Sequence, residues 1–193
     1  PTPIEEYGYG KYENILTTLE LERLHDSSGP TLGRLIRPSD GEVPKSLAFV
    51  QCVGSRDSRF MKYCSGFCCM YTIKNALLLK MTYPDMDITI FYIDIRATGK
   101  GYEEFYQRAR ELGVRFIQGR PSQIVEDAET GNLFVYAEDI GLGEMVELEA
   151  EMVALSTAAV PRRKATELGQ TLTITRDPSG FYMEAHPKLA PID

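Results

Sequence analysis

The chain has 193 residues, 43% hydrophobic and 25% charged, an ordinary globular composition and enough length for a core that buries roughly 70% of the unfolded surface. Its 21 basic and 28 acidic residues leave a net charge of −7, which argues against nucleic acid or an anionic membrane as the main partner, since either selects a basic face. No run approaches the ~18 apolar residues of a membrane span, and no signal-peptide pattern opens the chain.

The ends, Pro-Thr-Pro and Ala-Pro-Ile-Asp, predict a piece of a longer protein. The first ten or so residues, with Pro1, Pro3, Gly8 and Gly10, read as a connecting segment. Residues 13 to 25 read as a helix, with Ile15, Leu16, Leu19 and Leu24 at helical spacing, stopped by Ser27, Ser28, Gly29 and Pro30. Pro38, Asp40, Gly41 and Pro44 keep the chain looping toward residue 45. The apolar run from Leu47 to Val53 reads as a strand buried on both faces. A polar loop from Gly54 to Arg59 leads to a helix from about Gly66 to Tyr83, closed by Pro84, with Met70, Ile73, Leu77 and Met81 near one face. A strand from Asp87 to Ile95 follows, then a helix from Tyr102 to Leu112 with Gly113 as its C-cap, then a strand from Val114 to Gln118. This alternation is the mononucleotide-binding half of a doubly wound fold.

The pattern then turns antiparallel. Residues 123–128 and 133–137 predict a hairpin about Thr130-Gly131-Asn132, and Gly141 and Gly143 mark a second turn before Met145 to Glu149. Met152 to Ser156 reads as a strand returning to the parallel sheet. Residues 161 to 170 read as a linker, and 172–175 with 181–183 as a hairpin around Pro178-Ser179-Gly180. The expected fold is α/β: a Rossmann-like parallel sheet with helices on one side and an antiparallel β-layer on the other. Three parts are expected: a connecting segment with one helix (1–45), a nucleotide-binding-like domain with the cysteines (46–160), and a C-terminal linker and hairpin (161–193).

All four cysteines, Cys52, Cys64, Cys68 and Cys69, lie within 18 residues. A secreted disulfide scaffold is usually smaller and richer in cysteine, so the cluster reads as one tetradentate site in a reducing compartment, by default the cytoplasm. No GxGxxG exists, and the first strand ends in Cys52-Val-Gly-Ser-Arg, where Gly54 alone is a weak nucleotide signal. The following helix starts in Cys64-Ser-Gly-Phe-Cys-Cys. Amides at a helix start that would cradle phosphate can equally meet an anionic cluster. Cys64 and Cys68 are one turn apart, whereas Cys68 and Cys69 point about 100° apart, so both ligate only where the turn is distorted or the cluster straddles it. Zinc normally uses paired Cys-x2–4-Cys knuckles. An iron–sulfur centre is the leading reading; structural zinc, a disulfide and buried thiols are the others.

The run Phe49-Val-Gln-Cys-Val-Gly-Ser-Arg-Asp followed by Tyr63-Cys-Ser-Gly-Phe-Cys-Cys-Met-Tyr-Thr-Ile-Lys-Asn-Ala closely resembles the A-subunit family of heterodisulfide reductase. Tyr9-Gly-Lys-Tyr, Gly29-Pro-Thr, Arg37-Pro-Ser-Asp-Gly and Phe181-Tyr-Met-Glu-Ala-His-Pro-Lys-Leu are also like that family, so the resemblance spans nearly the whole chain. The family is similar to thioredoxin reductase, and the segment corresponds to the pyridine-nucleotide-type domain of an FAD/NAD-linked reductase fold. The resemblance implies an oxidoreductase with a [4Fe-4S] cluster on Cys52, Cys64, Cys68 and Cys69 that relays electrons to or from FAD held by a flanking domain. The glycine-rich FAD sequences and ferredoxin-type Cys runs of the family are absent, so this chain alone is expected to hold at most an edge of the flavin site and to be inactive by itself. Implied partners are other heterodisulfide reductase-type subunits and redox carriers, and a homodimer is admitted. Flavoprotein subunits of quinone-interacting oxidoreductase complexes resemble the same sequence, and a docking domain with structural zinc is the non-catalytic alternative.

Arg56 and Arg59 either offset cluster charge or contact FAD phosphates, or form a solvated basic loop. Lys62 and Lys74 read as surface residues. Asp94 and Arg96 stand where ribose- and phosphate-binding groups would sit, and without a glycine loop they read as inherited architecture. His25 suits a helix C-terminus, His186 lies in a tail, and no nucleophile elbow supports a Ser-His-Asp triad.

Overall fold

The apolar run after Lys45 forms the middle of a five-stranded parallel sheet in the computed structural model, which describes residues 5–186. Its strands are β1 (Ile15–Thr17), β2 (Ser46–Val53), β3 (Asp87–Tyr92), β4 (Arg115–Gln118) and β8 (Met152–Thr157), side by side as β1-β8-β2-β3-β4. Every pairing in it is parallel, for example Leu47 against Ile88 and Met152. Between β4 and β8 the chain forms an antiparallel sheet, β5 (Gln123–Glu126), β6 (Leu133–Asp139) and β7 (Glu144–Ala150), in that order.

Period-two alternation divides the core between two faces. Leu47 and Phe49 of β2, with Ile88, Ile90, Met152 and Ala154, pack against α1 (Thr18–His25), α2 (Cys68–Thr82) and α3 (Tyr102–Glu111) through Leu21, Ile73, Ala76, Leu77, Leu79 and Ala109. Ala48 and Val50, with Phe91, Val153 and Leu155, pack against Ile124, Leu133, Val135 and Ala137 of the antiparallel layer. Helices on one side and a β-layer on the other is the arrangement the sequence predicts. From β2 the chain winds one way through β3 and β4, while β8 and β1 lie on β2's other side. The carboxyl end of β2 is thus a topological switch point, the place where open α/β sheets bind ligands.

Several elements differ from expectation. Residues 13–25 are not one helix: Ile15 and Leu16 belong to β1, and α1 starts only after Thr17. Thr17 is the N-cap of a capping box, its hydroxyl accepting from the Glu20 amide while the Glu20 carboxylate accepts from the Thr17 amide at 2.7 Å. Leu19, counted in the predicted stripe, is exposed, and Leu21 is the buried residue. Along α2, Ile73 and Leu77 are buried as predicted but Met81 is exposed, and the stripe includes the polar Thr72 and Asn75. β3 ends at Tyr92 rather than Ile95. Gly113, read as a C-cap, follows the cap residue Leu112 with φ +83°.

The described residues part into two compact units after Ala158. In the second, the predicted linker contains α4 (Ala165–Leu172), which takes in Leu172, and the predicted hairpin is reduced to one antiparallel bridge, Arg176 to Tyr182. Glu167, Leu168 and Leu172 are good helix formers, enough to extend the helix over a stretch too polar to read as one. Among the described residues no helix is long and apolar enough to cross a membrane. Pro1 and Pro3 of the connecting segment, and the tail from Pro187 on, lie outside the described residues.

Candidate metal centre

Cys52 stands at the switch point in an unusual backbone. The β2–β8 register breaks between Val50 and Val53, so one extra residue of β2 is accommodated there, and Cys52 carries φ +60°. For a residue with a Cβ this conformation costs about 1–2 kcal/mol, and a bulge at a strand end re-aims a side chain. Beyond it the loop folds back on itself. The Arg56 amide donates to the Tyr63 carbonyl, the Asp57 amide to Met61, and the Met61 amide to Gly54, each at 3.0 Å. Folding back returns the chain to Cys64, whose Sγ accepts from the Gly66 amide at 3.3 Å. Cys68 and Cys69 are the first two residues of α2, whose N-cap, Phe67, supplies no side-chain acceptor to the free amides there.

Three of the thiols, Cys52, Cys68 and Cys69, are buried, Cys64 is half-buried, and all four are free. Burial pushes the Cys52 thiol up to about 11; the Arg56 guanidinium pulls the other way, and the charges of Cys69, Cys64 and Cys68 add to the rise. Cys68 is raised by burial against hydrogen bonds from Tyr71 and Ser65, and Cys69 by burial against the Arg96 amide, with neighbouring cysteines adding in both cases. The sulfurs therefore lie near enough to feel one another's charge. Burial thus keeps Cys52, Cys68 and Cys69 in the neutral thiol form, and a cation bound among them would stabilise their thiolates. Among the described residues no three Cys, His, Asp or Glu groups converge as a site for a single metal ion. A four-thiolate cluster makes a wider demand, one sulfur at each corner of a larger body. The donor set, uniformly soft and mostly buried, fits such a group.

The two arginines of the loop part company. Arg56 faces Cys52 and donates from Nη1 to Asp94 Oδ1 at 2.6 Å. Arg59 turns away to Asp57, at 2.9 Å from Nη2 to Oδ2, and to Glu6, at 2.8 Å from Nη1 to Oε1. Arg120 completes this group with a 2.8 Å bond to Asp57. Hydrogen bonds from Arg59, then from Arg120, hold the Asp57 carboxyl well below the usual carboxylate range. Asp94 is engaged with Arg56 and Arg96, and its carbonyl accepts from the Cys69 thiol at 3.7 Å. Lys74 pairs with Glu22 at 2.5 Å, while Lys62 is exposed. His25 ends α1 as read, and His186 is exposed.

Three features have no strong signal in the sequence. Arg120 gives none locally, since only the fold brings it to Asp57. Thr18, Thr72 and Ser156 form a buried hydroxyl cluster, with oxygens 3.2 and 2.9 Å from Ser156 Oγ. Gln51, beside Cys52, is a buried amide with neither Nε2 nor Oε1 hydrogen-bonded. A lone polar residue within an apolar strand is the one mark by which it could be found.

No family model matches the chain. It is 56% identical over 195 aligned residues to the iron-sulfur A-subunit 2 of the CoB–CoM heterodisulfide reductase of Methanopyrus kandleri, covering 100% of this chain and 30% of that protein. The A-subunit of the H2/formate:CoB-CoM heterodisulfide,ferredoxin reductase of Methanococcus maripaludis is 53% identical over 100% of this chain and 30% of its own length. For the iron-sulfur A-subunit of the CoB–CoM heterodisulfide reductase of Methanocaldococcus jannaschii the values are 54%, 98% and 29%. The chain thus spans about 30% of the length of these relatives. Among solved structures, Lactococcus lactis thioredoxin reductase matches with a TM-score of 0.53 at 17% identity, covering 94% of this chain and 48% of that one. L-lysine 6-monooxygenase of Pseudomonas syringae matches with a TM-score of 0.52 at 10% identity, covering 93% and 48%. These two structures establish the FAD/NAD-linked reductase fold, and over its whole length the chain is similar in sequence to a segment of about 30% of the A-subunits of heterodisulfide reductase.

Proposed function

We propose that this chain is the iron–sulfur electron-transfer segment of a heterodisulfide reductase-type flavoprotein. In this reading Cys52, Cys64, Cys68 and Cys69 hold a [4Fe-4S] cluster, which supplies a one-electron store between FAD and the redox centres of partner subunits. What supports it is the placement of four free thiols, three of them buried, at the end of β2, before α2 and at the start of α2, with Cys52 on a bulged, left-handed backbone.

The chain's own residues have definable tasks. The first amides of α2 present partial positive charge to the anionic group, and Arg56 adds a full one beside Cys52. Burial of Cys52, Cys68 and Cys69 excludes water, which would otherwise hydrolyse the cluster. Arg59 orders the loop through Asp57. A flavin phosphate would reach Arg59 only by displacing Glu6 from an exposed ion pair, and such pairs hold weakly. The main FAD site, the partner subunits and the heterodisulfide or ferredoxin chemistry named for the relatives belong to the longer protein, which is expected to act in the cytoplasm.

Anaerobic purification of the full chain tests the reading. A brown protein whose broad visible absorption bleaches on reduction is expected. A colourless chain that takes up one zinc with all four thiols overturns it in favour of a structural role.

A further inference from the structure

Gln51 is the one strongly polar residue between Leu47 and Val53, at the centre of the sheet, and it is 2% exposed. Both ends of its amide are buried without a hydrogen-bond partner. An orphaned donor in such a place is expensive, and apolar replacement would relieve it. Its position says what the missing partner is. Leu47 and Phe49 face the helices, Ala48 and Val50 face the antiparallel layer, and Gln51 continues the first series. It therefore stands on the helix side, immediately before the bulged Cys52, on the face covered by the helix that opens with Cys68 and Cys69. The other orphan amide nitrogen on this face, Asn75 Nδ2, lies two turns further along α2 from Cys68.

We propose that the Gln51 amide donates a hydrogen bond to a sulfur of the group bound by Cys52, Cys64, Cys68 and Cys69, and so raises its reduction potential. This rests on the cluster reading above. Gln51 binds no metal; it is a positioning residue that acts through the sulfur. A hydrogen bond to sulfur withdraws electron density and favours the reduced, more negative state. The orphan amide is then the mark of a sulfur partner that the bound group supplies.

The test compares the full chain with Gln51→Met, near in shape and without a donor, and with Gln51→Leu should the first not fold. Three quantities are read: iron and sulfide content, the midpoint potential by EPR-monitored titration, and the melting temperature of the metal-free chain. The substituted chain is expected to keep its iron but to shift about tenfold toward the oxidised state at fixed poise, about 59 mV downward for one electron. Metal-free, it is expected to melt higher than the unsubstituted chain, because an unpaired buried amide has gone. Full iron content with an unchanged potential overturns the inference and leaves the cluster reading standing, the orphan amide then being met by buried water. Failure of the unsubstituted chain to take up iron and sulfide overturns both.

Discussion

At Cys52 the backbone and the chemistry pull in opposite directions. A left-handed φ of +60° disfavours any side chain, yet the candidate site needs a sulfur there. Cys52→Gly relieves the strain and Cys52→Ala does not, so the glycine variant is expected to be more stable by about 1 kcal/mol. In a chain of this size that raises the metal-free melting temperature by about 2–4 °C relative to the alanine variant. Both variants are expected to lose iron retention, as are Cys64→Ala, Cys68→Ala and Cys69→Ala; Ser65→Ala and Met70→Leu are expected to retain it. Calorimetry and iron analysis of the same samples check both halves. Asp57 gives the acid dependence. Its folded pKa lies below the unfolded value because of Arg59 and Arg120, so the unfolded state binds the proton first and stability falls as pH drops below about 4. Above that pH the contribution is complete. Asp57→Asn is expected to lower the melting temperature at pH 7 and to flatten its decline in acid; an unchanged acid limb would show that these arginines do not set it.

Legibility varies among elements for physical reasons. β2, β3, β8 and the α2 helix announce themselves because each is long enough to show a period or an unbroken apolar run. β1 is hidden: three residues are too few for an alternation, and its apolar residues run directly into those of α1. The boundary is written instead in Thr17 and Glu20, and Thr17→Ala is expected to cost about 1 kcal/mol, seen as a melting temperature lower by about 2–4 °C. An unshifted transition would mean that the β8 pairing alone holds this junction. The loop after β2 lacks a run of close-approach glycines, and Cys52 at the end of β2, with the pair that Arg56 of this loop makes to Asp94 beyond β3, stands where a nucleotide would lie. Calorimetric titration with NADH or NADPH is therefore expected to show no micromolar binding, and FAD is expected to bind the isolated chain poorly. A micromolar dissociation constant for NADPH contradicts the reading of Asp94 and Arg96 as inherited architecture.

In the whole molecule, the sheet order places the end of β2 where neighbouring strands diverge, and the chain places sulfur there rather than a phosphate-binding loop. The cysteine spacing shows which residues to watch. It does not show that a bulge turns Cys52, that Arg120 reaches Asp57, or that Arg56 and Arg59 face different ways, because each depends on contacts between distant segments. Burial of the thiols ties the site to the fold as a whole. Metal binding that gathers four donors adds to folding free energy, so the loaded chain is expected to melt above the metal-free one. The most direct measurement is the iron and acid-labile sulfide content of the anaerobically reconstituted full chain beside a variant with all four cysteines replaced by alanine. About four irons and four sulfides per chain are expected, with none in the variant; equal, low iron in both would contradict the assignment of Cys52, Cys64, Cys68 and Cys69 as cluster ligands.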